Sequence, residues 1–136
     1  MSTRTNSFMH PVRDTTPIAS VNTSYATARR HTLALGSFPA GSAWTGHVSS
    51  IVIQVSSIAG GAKELSFLLS EDSGGDIVLG NATGAFEPGV TTATDGGLTI
   101  VLEFILSTPT DDTVYMFYKT DAGTVTVDSV TINWKE

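Results

Sequence analysis

Alternation of apolar and polar positions divides most of the chain into short strands. Val48 to Ser56 places Ile51, Ile53 and Val55 on one face. Glu64 to Ser70 does the same with Leu65, Phe67 and Leu69, and Leu98 to Leu106 with Leu98, Ile100, Leu102 and Phe104. A period of two marks a half-buried strand, because successive side chains point to opposite faces. Thr32–Gly36 and Ile77–Leu79 read as shorter strands. Val114-Tyr115-Met116-Phe117-Tyr118 is apolar on both phases, as in a strand covered above and below. Thr120–Gly123 reads as a tight turn that makes a hairpin with the last strand.

That last strand, TVTVDSVTINW, contradicts itself. Val125 and Val127 occupy one phase, whereas Val130, Ile132 and Trp134 occupy the other. A slip of one residue would send the hydrophobic set to the wrong face. A β-bulge at Asp128-Ser129 repairs this by inserting one unpaired residue and re-aiming those that follow. Asp128 is thereby expected at a kink, bonded locally, rather than in a catalytic pair.

Seven or eight such strands, joined by Gly-, Pro- and Asp-rich turns and with no helical period, predict an all-β antiparallel sandwich over residues 31–136. Residues 1–30 differ. They lack a period of two or 3.6, contain Pro11 and Pro17, and scatter Phe8, Met9, Val12, Ile18, Val21 and Tyr25 among polar residues. This is the texture of an extended arm that orders along another surface.

Composition agrees. Of 136 residues 40% are hydrophobic and only 15% charged, which excludes wholesale disorder. The absence of cysteine excludes disulfides and thiolate metal sites and fits assembly in a reducing cytoplasm. No segment approaches the roughly 18 apolar residues of a membrane span, and the first residues carry no apolar run of signal-peptide length. The net charge of −6 is uneven. Residues 1–30 hold four arginines against Asp14, whereas residues 31–136 hold three lysines against twelve acids. A basic leader on an acidic body fits either a solvated tail or an arm docking on an acidic partner or a neighbouring copy. It is a poor electrostatic footprint for nucleic acid.

Catalytic patterns are missing. His10, His31 and His47 stand in no paired spacing, there is no GxSxG elbow, and the Gly pairs at 60–61, 74–75 and 96–97 lack a phosphate-loop context. The expectation is a protein without enzymatic activity or cofactor. Glu71, Asp72 and Asp76 surround a Gly turn, and read either as a solvated loop or as weak calcium ligands. Trp44, in the loop GSAWTG, is the aromatic most suited to stacking on a ligand, while Tyr115, Tyr118 and Trp134 read as core or rim.

The stretch LSTPTDDTVYMFYKTDAGTVTVDSVTINW resembles the closing strands of jelly-roll sandwiches of the carbohydrate-binding-module kind: an aromatic strand, a Gly turn, then hydrophobic-Asp-x-hydrophobic-x-hydrophobic. The whole chain, short, Cys-free and rich in Thr, Ser, Gly and Val, looks like a tailed-phage capsid decoration, or cement, protein. That resemblance implies a structural protein on the outer capsid surface, made in the host cytoplasm. Its partners would be the major capsid protein and copies of itself, as a homotrimer, with no nucleic acid or membrane bound. Arg4, Phe8, Val12, Arg13, Ile18, Tyr25, Arg29 and Arg30 of the arm would staple neighbouring subunits. The alternative is a carbohydrate-binding or host-recognition module of a fibre or receptor-binding domain, using Trp44 and the loop carboxylates.

Overall fold

The computed structural model describes residues 9–34, 46–86, 96–100, 105–106 and 113–135. They form an antiparallel β-sandwich, with no helix among them. The first sheet contains β1 (Met9–Asp14), β2 (Ile18–Val21), β4 (Gly46–Ala59), β7 (Gly96–Ile100), β8 (Ile105–Leu106) and β10 (Thr124–Lys135). Its main path runs β1-β10-β4-β7, with β2 on β10 and β8 on β4. The second sheet runs β3-β9-β5-β6, where β3 is Arg30–Ala34, β5 Glu64–Ser70, β6 Val78–Ala85 and β9 Thr113–Thr120. Between them lies one apolar core: Val12, Ile18, Val21, Ile51, Ile53, Val55, Ile58 and the inward valines and Ile132 of β10 face Leu33, Leu65, Phe67, Leu69, Val114, Met116 and Tyr118.

The slip in the last strand is a bulge, as its sequence requires. Val127 pairs with Val55 and Ser129 with Gln54, so Asp128 has no partner in the β4–β10 ladder. A second irregularity lies beside it. Thr126 pairs with Ser57 and Val127 with Val55, leaving out Ser56 of β4. The two extra residues cancel in register, and Ser56 Oγ donates to Asp128 Oδ1 at 2.9 Å. The third case is in β2, where Val21 pairs with Val125 and Ile18 with Val127, and Ser20 takes φ of +62°. Each strand carries the same local pattern: Ile18-Ala19-Ser20-Val21, Val55-Ser56-Ser57-Ile58 and Val127-Asp128-Ser129-Val130. In all three both apolar ends are buried. Bulges side by side therefore keep the inward face continuous across three strands.

Two expectations are corrected. The last two strands do not form a hairpin: β9 and β10 belong to different sheets, and Asp121–Gly123 carries the chain across the sandwich. Gly60–Gly61 does the same between β4 and β5, and the two crossings touch backbone to backbone. A Cβ on Gly123 would lie 2.1 Å from the Ala59 oxygen, and one on Gly60 2.8 Å from the Gly123 Cα. Asp121 Oδ1 ties the crossings together by accepting from the N–H groups of Lys63 (2.8 Å) and Glu64 (3.0 Å).

The second correction concerns the arm. From Met9 onward residues 1–30 are integral to the sandwich, because β1 and β2 both pair with β10. Val12 and Ile18, expected to anchor in neighbouring subunits, lie in this chain's own core at 7% and 8% exposure. β10 needs a neighbour on its free side, and these short apolar–polar alternations supply it.

Candidate functional site

The outer face of the four-stranded sheet holds the densest chemistry among the described residues. On β9, Val114, Met116, Tyr118 and Thr120 point into the core, so Tyr115, Phe117 and Lys119 point out. Register then sets their neighbours. Arg30 of β3 and Leu68 of β5 lie opposite Phe117 on either side. The Arg30 guanidinium sits 4.9 Å from the Tyr115 ring centroid and 5.9 Å from that of Phe117. Lys119 Nζ sits 4.9 Å over the Tyr25 ring. A cation over a ring face is attracted by the ring quadrupole.

Two loops frame this row. In the β5–β6 loop, Asp72 accepts from Ile77 N–H (2.5 Å) and Ser70 Oγ (2.7 Å) on one oxygen, and from Gly74 N–H (3.1 Å) on the other. The Ile77 amide and the Ser70 hydroxyl hold the Asp72 carboxyl far below the usual carboxylate range. The loop so fixed lies against Phe117: a Cβ on Gly75 would stand 3.4 Å from two ring carbons. Phe117 is consequently 2% exposed although it faces outward. Arg30 Nη1 donates to the Ser73 carbonyl and joins β3 to this loop.

The β2–β3 connection forms the other wall. Thr120 N–H donates to Asn22 O at 2.8 Å, Arg29 N–H to Ala26 O at 2.9 Å, and Arg29 Nη2 to Ser24 O at 3.3 Å. Between the walls lies a pocket of about 240 Å³ lined by Tyr25, Ala26, Thr27, Leu68, Gly74, Gly75 and Phe117. Burial pushes the Tyr25 hydroxyl pKa up, so it stays protonated.

A second polar cluster lies inside. His31 is 1% exposed, with Nε2 2.6 Å from the Thr16 carbonyl and Nδ1 2.7 Å from the Tyr118 hydroxyl. A carbonyl only accepts, so Nε2 carries the hydrogen and Nδ1 accepts from Tyr118. Burial lowers the His31 pKa, against the opposing pull of the Thr16 bond and of Asp14. Asp14 shares the inward phase of Val12 and reaches β3, where Oδ2 accepts from Thr32 N–H (3.2 Å); Oδ1 accepts from Thr16 N–H (2.9 Å). The cluster locks the β1–β2 turn onto the second sheet.

The structure thus separates the residues grouped in sequence. Arg13 is on the outer face of the first sheet, with Nε donating to Thr131 Oγ1 at 2.9 Å. Tyr25, Arg29 and Arg30 belong to the opposite sheet and its flanking loop. Arg4, Phe8 and Trp44 lie outside the described residues. Of the calcium candidates, Asp72 commits both oxygens to its own loop, and no group of three or more His, Asp or Glu converges as a metal set among the described residues. Phe117, Leu68 and Lys119 were not singled out from sequence. The signal for Phe117 and Lys119 was the outward phase of β9, which reads Tyr115, Phe117, Lys119 and is too aromatic for a bare solvent face.

No protein-family model matches the chain, and no curated protein does. Solved structures do. The chain is similar over 96% of its length to dimeric latent PorU from Porphyromonas gingivalis, at 12% identity and a TM-score of 0.46, spanning 13% of that protein. It is similar over 97% of its length to carbohydrate-binding module CBM6cm-2 from Cellvibrio mixtus lichenase 5A, in complex with cellotriose, at 16% identity and a TM-score of 0.45, spanning 89% of the module. The infectious bursal disease virus VP2 subviral particle matches over 95% of the chain at 11% identity and a TM-score of 0.44, with 32% of VP2 spanned. No helix among the described residues is long and apolar enough to cross a membrane.

Proposed function

We propose that this chain is a non-enzymatic structural protein of a phage particle, a decoration protein that binds the outer capsid surface. Its contact would be the outer face of the four-stranded sheet, docked on an acidic patch of the major capsid protein. The supporting observation is the row of Arg30 over Tyr115 and Phe117 with Lys119 over Tyr25. The rings hold both cations in place before a partner arrives, and less side-chain freedom is lost on binding. On a chain of net charge −6 a positive row also sets the docking orientation. The hypothesis moves the contact from the N-terminal arm to the sheet, because Val12 and Ile18 are already spent on the chain's own core. Many weak copies on one capsid would add up through avidity.

The test is co-sedimentation with undecorated capsids. The paired substitution Arg30→Ala with Lys119→Ala should weaken binding by at least about 10-fold while the protein stays folded, in keeping with two lost ion contacts. Unchanged decoration by the folded variant would refute this reading.

The ring-lined pocket favours a second reading, a carbohydrate-binding or host-recognition module. A glycan array probed with wild type and Tyr25→Ala separates the two. Binding lost in Tyr25→Ala supports the module, and silence throughout removes it.

A further inference from the structure

The two edges of the four-stranded sheet are treated differently. At one edge, β3 is five residues long and Asp14 caps its Thr32 amide with a carboxylate. At the other, β6 pairs with β5 on one side only among the described residues. Sheet edges in monomeric proteins are blunted by charges, proline, short length or cover, because unpaired N–H and C=O groups template further pairing. β6 is eight residues long, and from Ile77 to Phe86 the chain reads IVLGNATGAF, with no charge and no proline. Asp76 and Glu87 bound this neutral run. At its start Ile77 and Val78 are 54% and 46% exposed, the large apolar side chains most open to solvent among the described residues.

We propose that β6 is a homotypic interface: it pairs antiparallel with β6 of a second copy across a two-fold axis, joining two four-stranded sheets into one of eight. Charge selects the occupant. A chain of net charge −6 repels its own copies over most of its surface, whereas this neutral stretch meets itself with like charges opposed only at its two ends, Asp76 against Glu87. Antiparallel edge pairing is also isologous, since the same strand serves both partners, and it closes at two copies rather than the three expected from capsid symmetry. Ile77 and Val78 of each copy then cover the far end of the other's strand. This interface is separate from the Arg30–Lys119 row, so its failure and that of the attachment reading can be told apart.

Sedimentation velocity on the full chain over a concentration series tests it. Wild type should shift from one to two chain masses. Val78→Lys with Ala85→Lys, both at exposed positions, should weaken the association by at least about 10-fold, because like charges then oppose across the new ladder. Arg30→Ala with Lys119→Ala should leave it unchanged. Amide hydrogen exchange on wild type is the second measurement, with Val78–Ala85 amides gaining protection as concentration rises. A wild type that stays monomeric, a folded lysine variant that associates as before, or a dimer that leaves β6 unprotected would each overturn the proposal.

Discussion

Ser56 and Asp128 are each left out of the β4–β10 ladder, one on either strand at neighbouring positions, and they bond to each other across 2.9 Å. One bulge alone would shift every later pair. Two facing bulges restore the register, and the hydrogen bond links the insertions that must coexist. Ser56→Ala and Asp128→Ala should each cost about 1–2 kcal/mol in denaturant unfolding. The double variant should cost less than the sum, with a coupling of roughly 0.5–1.5 kcal/mol. Additive losses would show that the bulges are held independently.

His31 predicts an acid-side loss of stability. Burial lowers its pKa in the folded chain, so below about pH 6.5 the unfolded chain binds the proton more readily. Its stabilising share is complete above that pH and is lost as pH falls toward the folded value. Asp14 is also lowered: burial raises it, but the Thr16 bonds and the His31 charge together outweigh that, and its share is lost only below about pH 4. Unfolding curves between these limits should slope in wild type and flatten in His31→Gln. Tyr118→Phe leaves Nδ1 without its donor and should cost about 1–3 kcal/mol at neutral pH.

The two crossings predict unequal glycines. Gly123 has φ of +61° and no room for a Cβ, so Gly123→Ala should cost at least about 3 kcal/mol or prevent folding. Gly61 has φ of +84° but nothing within 4 Å, so Gly61→Ala should cost only the left-handed strain of about 1–2 kcal/mol. Thermal melts of the two variants decide this.

Asp72→Ala removes the acceptor that gathers Ile77, Ser70 and Gly74. The 71–77 amides should exchange faster and Phe117 should become more solvent-exposed, read by hydrogen exchange and by proteolysis at the loop. Unchanged exchange would mean that the ring, rather than the carboxylate, orders the loop.

The strands and the inward faces of β4, β5 and β10 were legible because alternation records burial on one side. The bulge at Asp128 was legible for the same reason. Its companions at Ser56 and Ser20 carry the same apolar-x-Ser-apolar signature, yet each lies at a strand end, where a slip passes for termination. β1 and β2 escaped notice because the core takes only Val12 from the first and Ile18 and Val21 from the second among the described residues, and their partner lies at the other end of the chain. Register, which alone places Arg30 beside Phe117, is a property of two strands and cannot be read from either.

β10 lies between the N-terminal strands and β4, with Met9 opposite Lys135. During synthesis, then, β1 and β2 emerge early and have nothing to pair with until Thr124–Lys135 has followed. Until that moment Val12, Ile18 and Val21 face solvent or a chaperone. Closing the largest loop in the chain is the step that ends this exposure, and contacts so distant in sequence make for slow folding.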